Sequence, residues 1–172
     1  MPDDAPDPDL APYPDLSADE RTTLVQFLEL YRWRVVRSLQ RLGDEQARAR
    51  PLPATDLTPG GIVKHLAHME DHWFTARVGG RDLPEPWASA PADQPDWDFR
   101  SAAADDGAEI IALYRAACER SRQVVRELPD LDALAPRPSF GRGPVSLRWT
   151  LVHLIEETAC HAGHLDLLVD AS

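Results

Sequence analysis

The residues of this chain best suited to chemistry are its six histidines, and they fall in only two segments. His65, His68 and His72 lie close together in the first half. His153, His161 and His164 lie near the C-terminus, with Glu156 and Glu157 between them. Imidazole nitrogens together with a carboxylate oxygen form a common donor set for borderline divalent cations. Glu157 and His161 stand at i and i+4, so on a helix they share a face and can grip one ion. A histidine from a neighbouring helix would make a third protein ligand. Three ligands leave coordination positions open, the pattern of a catalytic rather than a structural centre.

Both histidine segments read as helices. Thr58-Pro59 marks an N-cap and first turn, the apolar positions Ile62, Leu66, Met69, Trp73 and Ala76 recur at steps of three and four, and Gly79-Gly80 ends the pattern. Ser146 caps the last helix, which runs to about Asp170 with Leu147, Leu151, Leu154, Thr158, Leu165 and Leu168 on one stripe. At roughly 100° per residue, His65 lies about 60° from the centre of its apolar stripe, His72 about 80° and His68 about 120°, facing solvent. On the last helix His161 lies about 30° from the centre, Glu157 about 70°, and His164 and His153 about 90–110°. His65, Glu157 and His161 are therefore the metal-capable groups aimed most nearly inward. A histidine at the edge of a core face is ordinarily a packed or water-bonded side chain, and Glu-x-x-x-His recurs by chance. Their joint inward orientation on two helices is what favours a metal site.

Two further helices complete the layout. Ser17 and Glu20 have capping-box spacing, with Leu16 placed as a staple residue, and Leu24, Phe27, Leu28, Tyr31, Val35, Leu39 and Leu42 follow as one stripe up to Gly43. A helix from about Asp105 to Leu128 carries Ile110, Leu113, Tyr114, Ala117 and Val124, and Pro129 stops it. Residues 81–104, with four prolines and two tryptophans, read as a long loop of the kind that crosses a bundle end or covers a site. Residues 1–16, rich in proline and aspartate, read as a flexible extension, leaving 17–172 as a single bundle. No segment alternates with period two. The expected fold is all-α, a four-helix bundle with an up-down-down-up course.

Composition bounds the partners. Lys plus Arg number 18 against 29 Asp plus Glu, a net charge of −11, which argues against nucleic acid and against anionic membrane surfaces. No apolar run is long enough to span a bilayer, and the acidic, proline-rich start, Met1-Pro2-Asp3-Asp4, does not read as a secretory signal. The two cysteines, Cys118 and Cys160, are too few for a disulfide scaffold. They read as thiols of a reducing cytoplasm, Cys160 as a buried and inert one. Trp73, Trp149 and Tyr114 read as core. Seventeen arginines against one lysine suggest a GC-rich bacterial source.

The stretch from Gly61 to Phe74, with His65, His68, Glu70, His72 and Trp73, resembles the second-helix motif of the DinB/YfiT-like superfamily. The stretch from His153 to Asp166 resembles its fourth-helix motif. Similarity extends from about Glu20 to Leu168 and is strongest to the actinobacterial mini-circle-protein subgroup. The resemblance implies a four-helix bundle, a divalent metal such as zinc or nickel, and a homodimer. Most of the superfamily uses three histidines; here Glu157 stands at the middle position. A His-Glu-His set is similar to that of the metal-binding domain of mycothiol-dependent maleylpyruvate isomerase, and it falls on the same three residues as the helical geometry.

The resulting expectation is a metal- and thiol-dependent S-transferase. It would use a low-molecular-weight thiol such as mycothiol against small electrophiles, with His164 supporting His161 and the 81–104 loop walling the pocket. Arg81, Arg142 and Arg148 are candidates to receive carboxylates. Three alternatives stand beside it: a hydrolase using a metal-activated water, a non-catalytic stress-associated dimer locked by its ion, and a plain helical bundle without metal.

Overall fold

A computed structural model of the chain describes residues 11–139, 141 and 143–172. Its α-helices are α1 (Glu20–Gln40), α2 (Asp44–Arg48), α3 (Pro59–Glu70), α4 (Trp97–Ser101), α5 (Gly107–Glu127) and α6 (Leu147–Asp170). Among the described residues there is no strand, only isolated antiparallel bridges at Leu134–Ser146 and Ser139–Gly143. The fold is all-α. The first ten residues of the expected N-terminal extension, and Arg142, lie outside the described residues.

The helix starts follow local chemistry. The side chains of Thr58, Asp106 and Ser146 accept from the backbone N–H of Gly61, Glu109 and Trp149. Each closes an otherwise orphaned donor, worth about 1 kcal/mol. α1 departs from expectation. Its cap is Asp19, which accepts from Thr22 N, and Leu16 is fully exposed rather than stapled. An aspartate two residues beyond Ser17 offers a charged acceptor to the first turn, which favours it over the hydroxyl. The linker after α1 also holds an unexpected short helix, α2, which buries Ala47.

α1 packs on α6, and α3 packs on both α5 and α6. One core cluster gathers Val35, Leu39, Ile62, Leu66, Ile110, Tyr114 and Leu165. A second gathers Leu28, Trp73, Phe74, Leu151 and Leu154. Two buried carboxylates cross-link the helices. Arg32 donates from Nε and Nη2 to Glu70 at 2.7 and 2.6 Å, and Arg120 donates to both oxygens of Asp71 at 2.7 Å. Removing one partner from such a pair strands a buried charge and costs about 3–5 kcal/mol.

α3 does not end at Glu70. It widens into a π-helical segment, Asp71–Val78, in which Gly79 N donates to Phe74 O at 2.7 Å. The wider turn buries Asp71, Trp73, Phe74, Thr75, Ala76 and Val78 together, more positions than an α-helical stripe would hide. The 81–104 segment is more ordered than a loop. It contains the 3-10 turn Trp87–Ser89, helix α4 and a second 3-10 turn, Ala102–Ala104. Its Trp87 is buried and donates from Nε1 to Asp71 Oδ2 at 2.9 Å. α4 lies against α3, and this contact brings its side chains to the histidines.

Candidate metal centre

His65 comes from α3, and Glu157 and His161 come from α6. One ligand-capable atom from each lies within 4.8 Å of the others. Glu157 Oε1 stands 3.2 Å from His65 Nε2 and 3.4 Å from His161 Nε2. Donors bound tetrahedrally at about 2.0–2.1 Å are spaced about 3.3 Å apart, so these separations fit a shared ion. The three side chains are 13%, 22% and 15% exposed, reachable but screened from bulk water. His161 Nδ1 is buried without a hydrogen-bond partner among the described residues.

The far side of His65 is occupied by α4. Asp98 Oδ2 lies 2.9 Å from His65 Nδ1 and also 2.9 Å from His68 Nδ1. Asp98 is 5% exposed, and its Oδ1 accepts from Phe99 N at 2.9 Å. Phe99 stacks on the His65 ring at 4.2 Å between centroids. Gly61 permits this approach, since a Cβ there would sit 2.8 Å from Thr58 Oγ1 and 3.0 Å from Phe99 O.

The electrostatics are those of anionic oxygens held among imidazoles. Hydrogen bonds from His161 and His65 outweigh burial and hold the Glu157 carboxyl well below the usual carboxylate range. Burial pushes the Asp98 carboxyl up, but hydrogen bonds from His65 and His68 outweigh it and hold it far below its ordinary value. Burial likewise pushes His65 down, while Asp98 and Glu157 together raise it above 6.5. An ionised Asp98 only accepts, so His65 Nδ1–H donates to it. In the neutral ring, Nε2 then presents a lone pair to a carboxylate oxygen 3.2 Å away. Two acceptors face each other there unless a proton or a metal cation lies between them.

A cavity of about 710 Å³ opens against His65, His68 and Asp98 and is bounded by Met69, Phe99, Arg48, Arg50 and Arg100 among others. This volume suits a small-molecule site. Of the arginines singled out from sequence, Arg81 and Arg148 do not line it. Arg81 pairs with Glu127 at 2.5 Å, and Arg148 pairs with Glu20 and Asp132. Arg48 and Arg50 come instead from α2 and the segment after it, and Arg100 from α4, an arrangement set by tertiary contacts.

Other expectations divide. His164 is exposed, with its ring 5.4 Å from that of His161. His68 does not face solvent; it stacks on Trp87 at 4.9 Å, because the 81–104 segment folds over that face of α3. His72 is pushed down to about 4, first by burial and then by Arg77, His68 and His153. Cys160 is exposed and Cys118 buried, which reverses the expectation for Cys160. Trp149 is 39% exposed, not core, whereas Tyr114 and Trp73 are buried. Asp98 was not singled out from sequence. The only signal for it was its place in a tryptophan-rich loop.

A search of curated proteins finds no match. A crystal structure of a conserved protein of locus from Enterococcus faecalis has a TM-score of 0.69 at 15% identity, over 90% of this chain and 98% of that one. That likeness shows the fold. The family model described as mycothiol-S-transferase matches residues 23–171. The match spans both histidine helices and the resemblance to the DinB/YfiT-like superfamily holds: the chain belongs to the mycothiol-S-transferase family.

Proposed function

We propose that this protein is a divalent-metal-dependent S-transferase that joins a low-molecular-weight thiol of the mycothiol type to small electrophiles. His65, Glu157 and His161 are the metal ligands. The observation that carries this reading is the spacing of Glu157 Oε1 from the two imidazole Nε2 atoms, 3.2 and 3.4 Å. With only three protein donors, a coordination position stays open for a small molecule. A divalent cation at that point supplies the positive charge that lowers the pKa of a coordinated thiol, so that it ionises near neutral pH.

The chain's own residues do the rest. Glu157 brings negative charge to the centre and so holds the cation. The enclosure around His65 and Phe99 screens the reacting sulfur from bulk water. The cavity beside His65, about 710 Å³, has room for the electrophile. In the transfer the thiol gives up its proton to solvent, a sulfur–carbon bond forms, and with a haloalkyl electrophile the carbon–halogen bond breaks and halide leaves to solvent.

The test starts with protein purified without an affinity tag. Elemental analysis should find zinc or nickel near one ion per chain. Metal-loaded protein should then consume mycothiol and a haloalkyl electrophile well above the uncatalysed rate. Glu157→Ala and a strong chelator should each abolish that excess. Background rates from fully loaded protein would overturn the proposal.

A further inference from the structure

We propose that Asp98 is the positioning residue of the metal centre. Its carboxylate takes the His65 Nδ1 proton as a hydrogen bond, fixing the ring so that Nε2 is the ligand atom, and it anchors His68 with the same oxygen. The inference rests on the proposed metal reading for its purpose, but its geometry stands by itself.

Three observations support it. The first is the shared acceptor: Asp98 Oδ2 is 2.9 Å from both His65 Nδ1 and His68 Nδ1. The second is the fixing of the carboxylate. Asp98 is 5% exposed, and Phe99 N donates to Oδ1 at 2.9 Å, so the oxygen that meets the histidines is held by backbone at its other end. The third is the fixing of the ring. Phe99 stacks on His65, which leaves the imidazole plane little freedom. With Nδ1 committed to Asp98, the remaining nitrogen of His65 is the one that faces Glu157. A carboxylate behind a metal-binding histidine orients the ring and raises its basicity, and losing such a partner typically costs 10–100-fold in metal affinity.

Asp98 lies 33 residues from His65, on a short helix that contributes none of the three ligands. The first coordination sphere is therefore built by α3 and α6, and its orientation is set by α4. His68 shares the carboxylate and lines the cavity. It is a partner of Asp98 rather than a fourth ligand, so its removal leaves the His65 bond in place.

The experiment combines nitrogen-15 NMR of the imidazoles with zinc affinity by chelator competition. In the zinc-loaded wild-type chain, His65 should carry its proton on Nδ1 and bind through Nε2. Asp98→Asn should weaken zinc about 10–100-fold and mix the His65 tautomers in the metal-free chain at a pH where the ring is neutral. Asp98→Glu should restore part of the affinity, and His68→Gln should change it by less than Asp98→Asn does. A wild-type His65 protonated on Nε2 would overturn the inference without any variant. So would an Asp98→Asn protein with unchanged zinc affinity and an unchanged tautomer. If the wild-type chain binds no zinc or nickel, the metal reading fails, and the neutral-ring tautomer of the metal-free chain still decides the role of Asp98.

Discussion

Several histidines in one molecule behave differently because their surroundings differ. His65 faces two carboxylates and is raised above its ordinary value. His72 is held at about 4 by burial and by Arg77, His68 and His153, and Arg77 Nε donates to its Nε2 at 3.4 Å. A histidine kept neutral in the folded state binds its proton more readily when unfolded. Its contribution to stability is therefore complete above about 6.5 and is lost as pH falls from there toward 4. His65 runs the other way in metal-free protein, contributing below 6.5 and losing that contribution as pH rises through its folded value. Comparing a variant with the parent separates the two. His72→Gln should lose less melting temperature than the parent between pH 7 and pH 5, as read by circular dichroism on metal-free protein. An equal loss in both would show that His72 does not carry the slope.

At the scale of elements, the centre depends on how closely α4 approaches α3. Gly61 lies in the first turn of α3 and has no room for a side chain, with Thr58 Oγ1 at 2.8 Å and Phe99 O at 3.0 Å from a built Cβ. Gly61→Ala must push α4 outward or distort the Thr58 cap. Overpacking of this kind costs about 1–3 kcal/mol, to be measured by urea unfolding. Because Asp98 precedes Phe99, the same variant should also release zinc at a lower chelator concentration than the parent. A Gly61→Ala protein with parental stability and zinc retention would show that the contact gives way freely. The π-helical continuation of α3 serves a separate end. It lets Asp71 reach inward to Arg120 and Trp87, tying α3, α5 and the 81–104 segment together beyond the histidines.

Across the whole molecule, a cation bound by His65, Glu157 and His161 would clamp α3 to α6 at a point where apolar packing gives way to polar side chains. Anything bound only by the folded state adds stability, about 2.7 kcal/mol at a hundredfold excess of free ion over its dissociation constant. Zinc should therefore raise the melting temperature of metal-free protein, and His161→Ala should remove that rise while leaving the metal-free melting temperature nearly unchanged. A rise that survives the substitution would place the stabilising ion elsewhere. The net charge of −11 favours cation uptake in general, so the comparison with His161→Ala separates this site from diffuse binding. Among the described residues no helix is long and apolar enough to cross a membrane.

The four long helices and the inward aim of three side chains are legible in the sequence, because both follow from local geometry; the short helices α2 and α4 are not. A 3.6-residue period decides which positions of a helix face inward, and the Thr58 and Ser146 caps decide where two of the helices begin. Helical angle aims His65, Glu157 and His161 inward, and the packing of α3 on α6 brings them together. Tertiary structure alone decided the rest. It placed Asp98 behind His65, covered His68 with Trp87, set Arg48, Arg50 and Arg100 around the cavity, and left Cys160 and Trp149 exposed. Each of these depends on which distant segment covers a given face. Residue spacing within one helix carries no record of that, because the covering contacts join residues far apart in the chain.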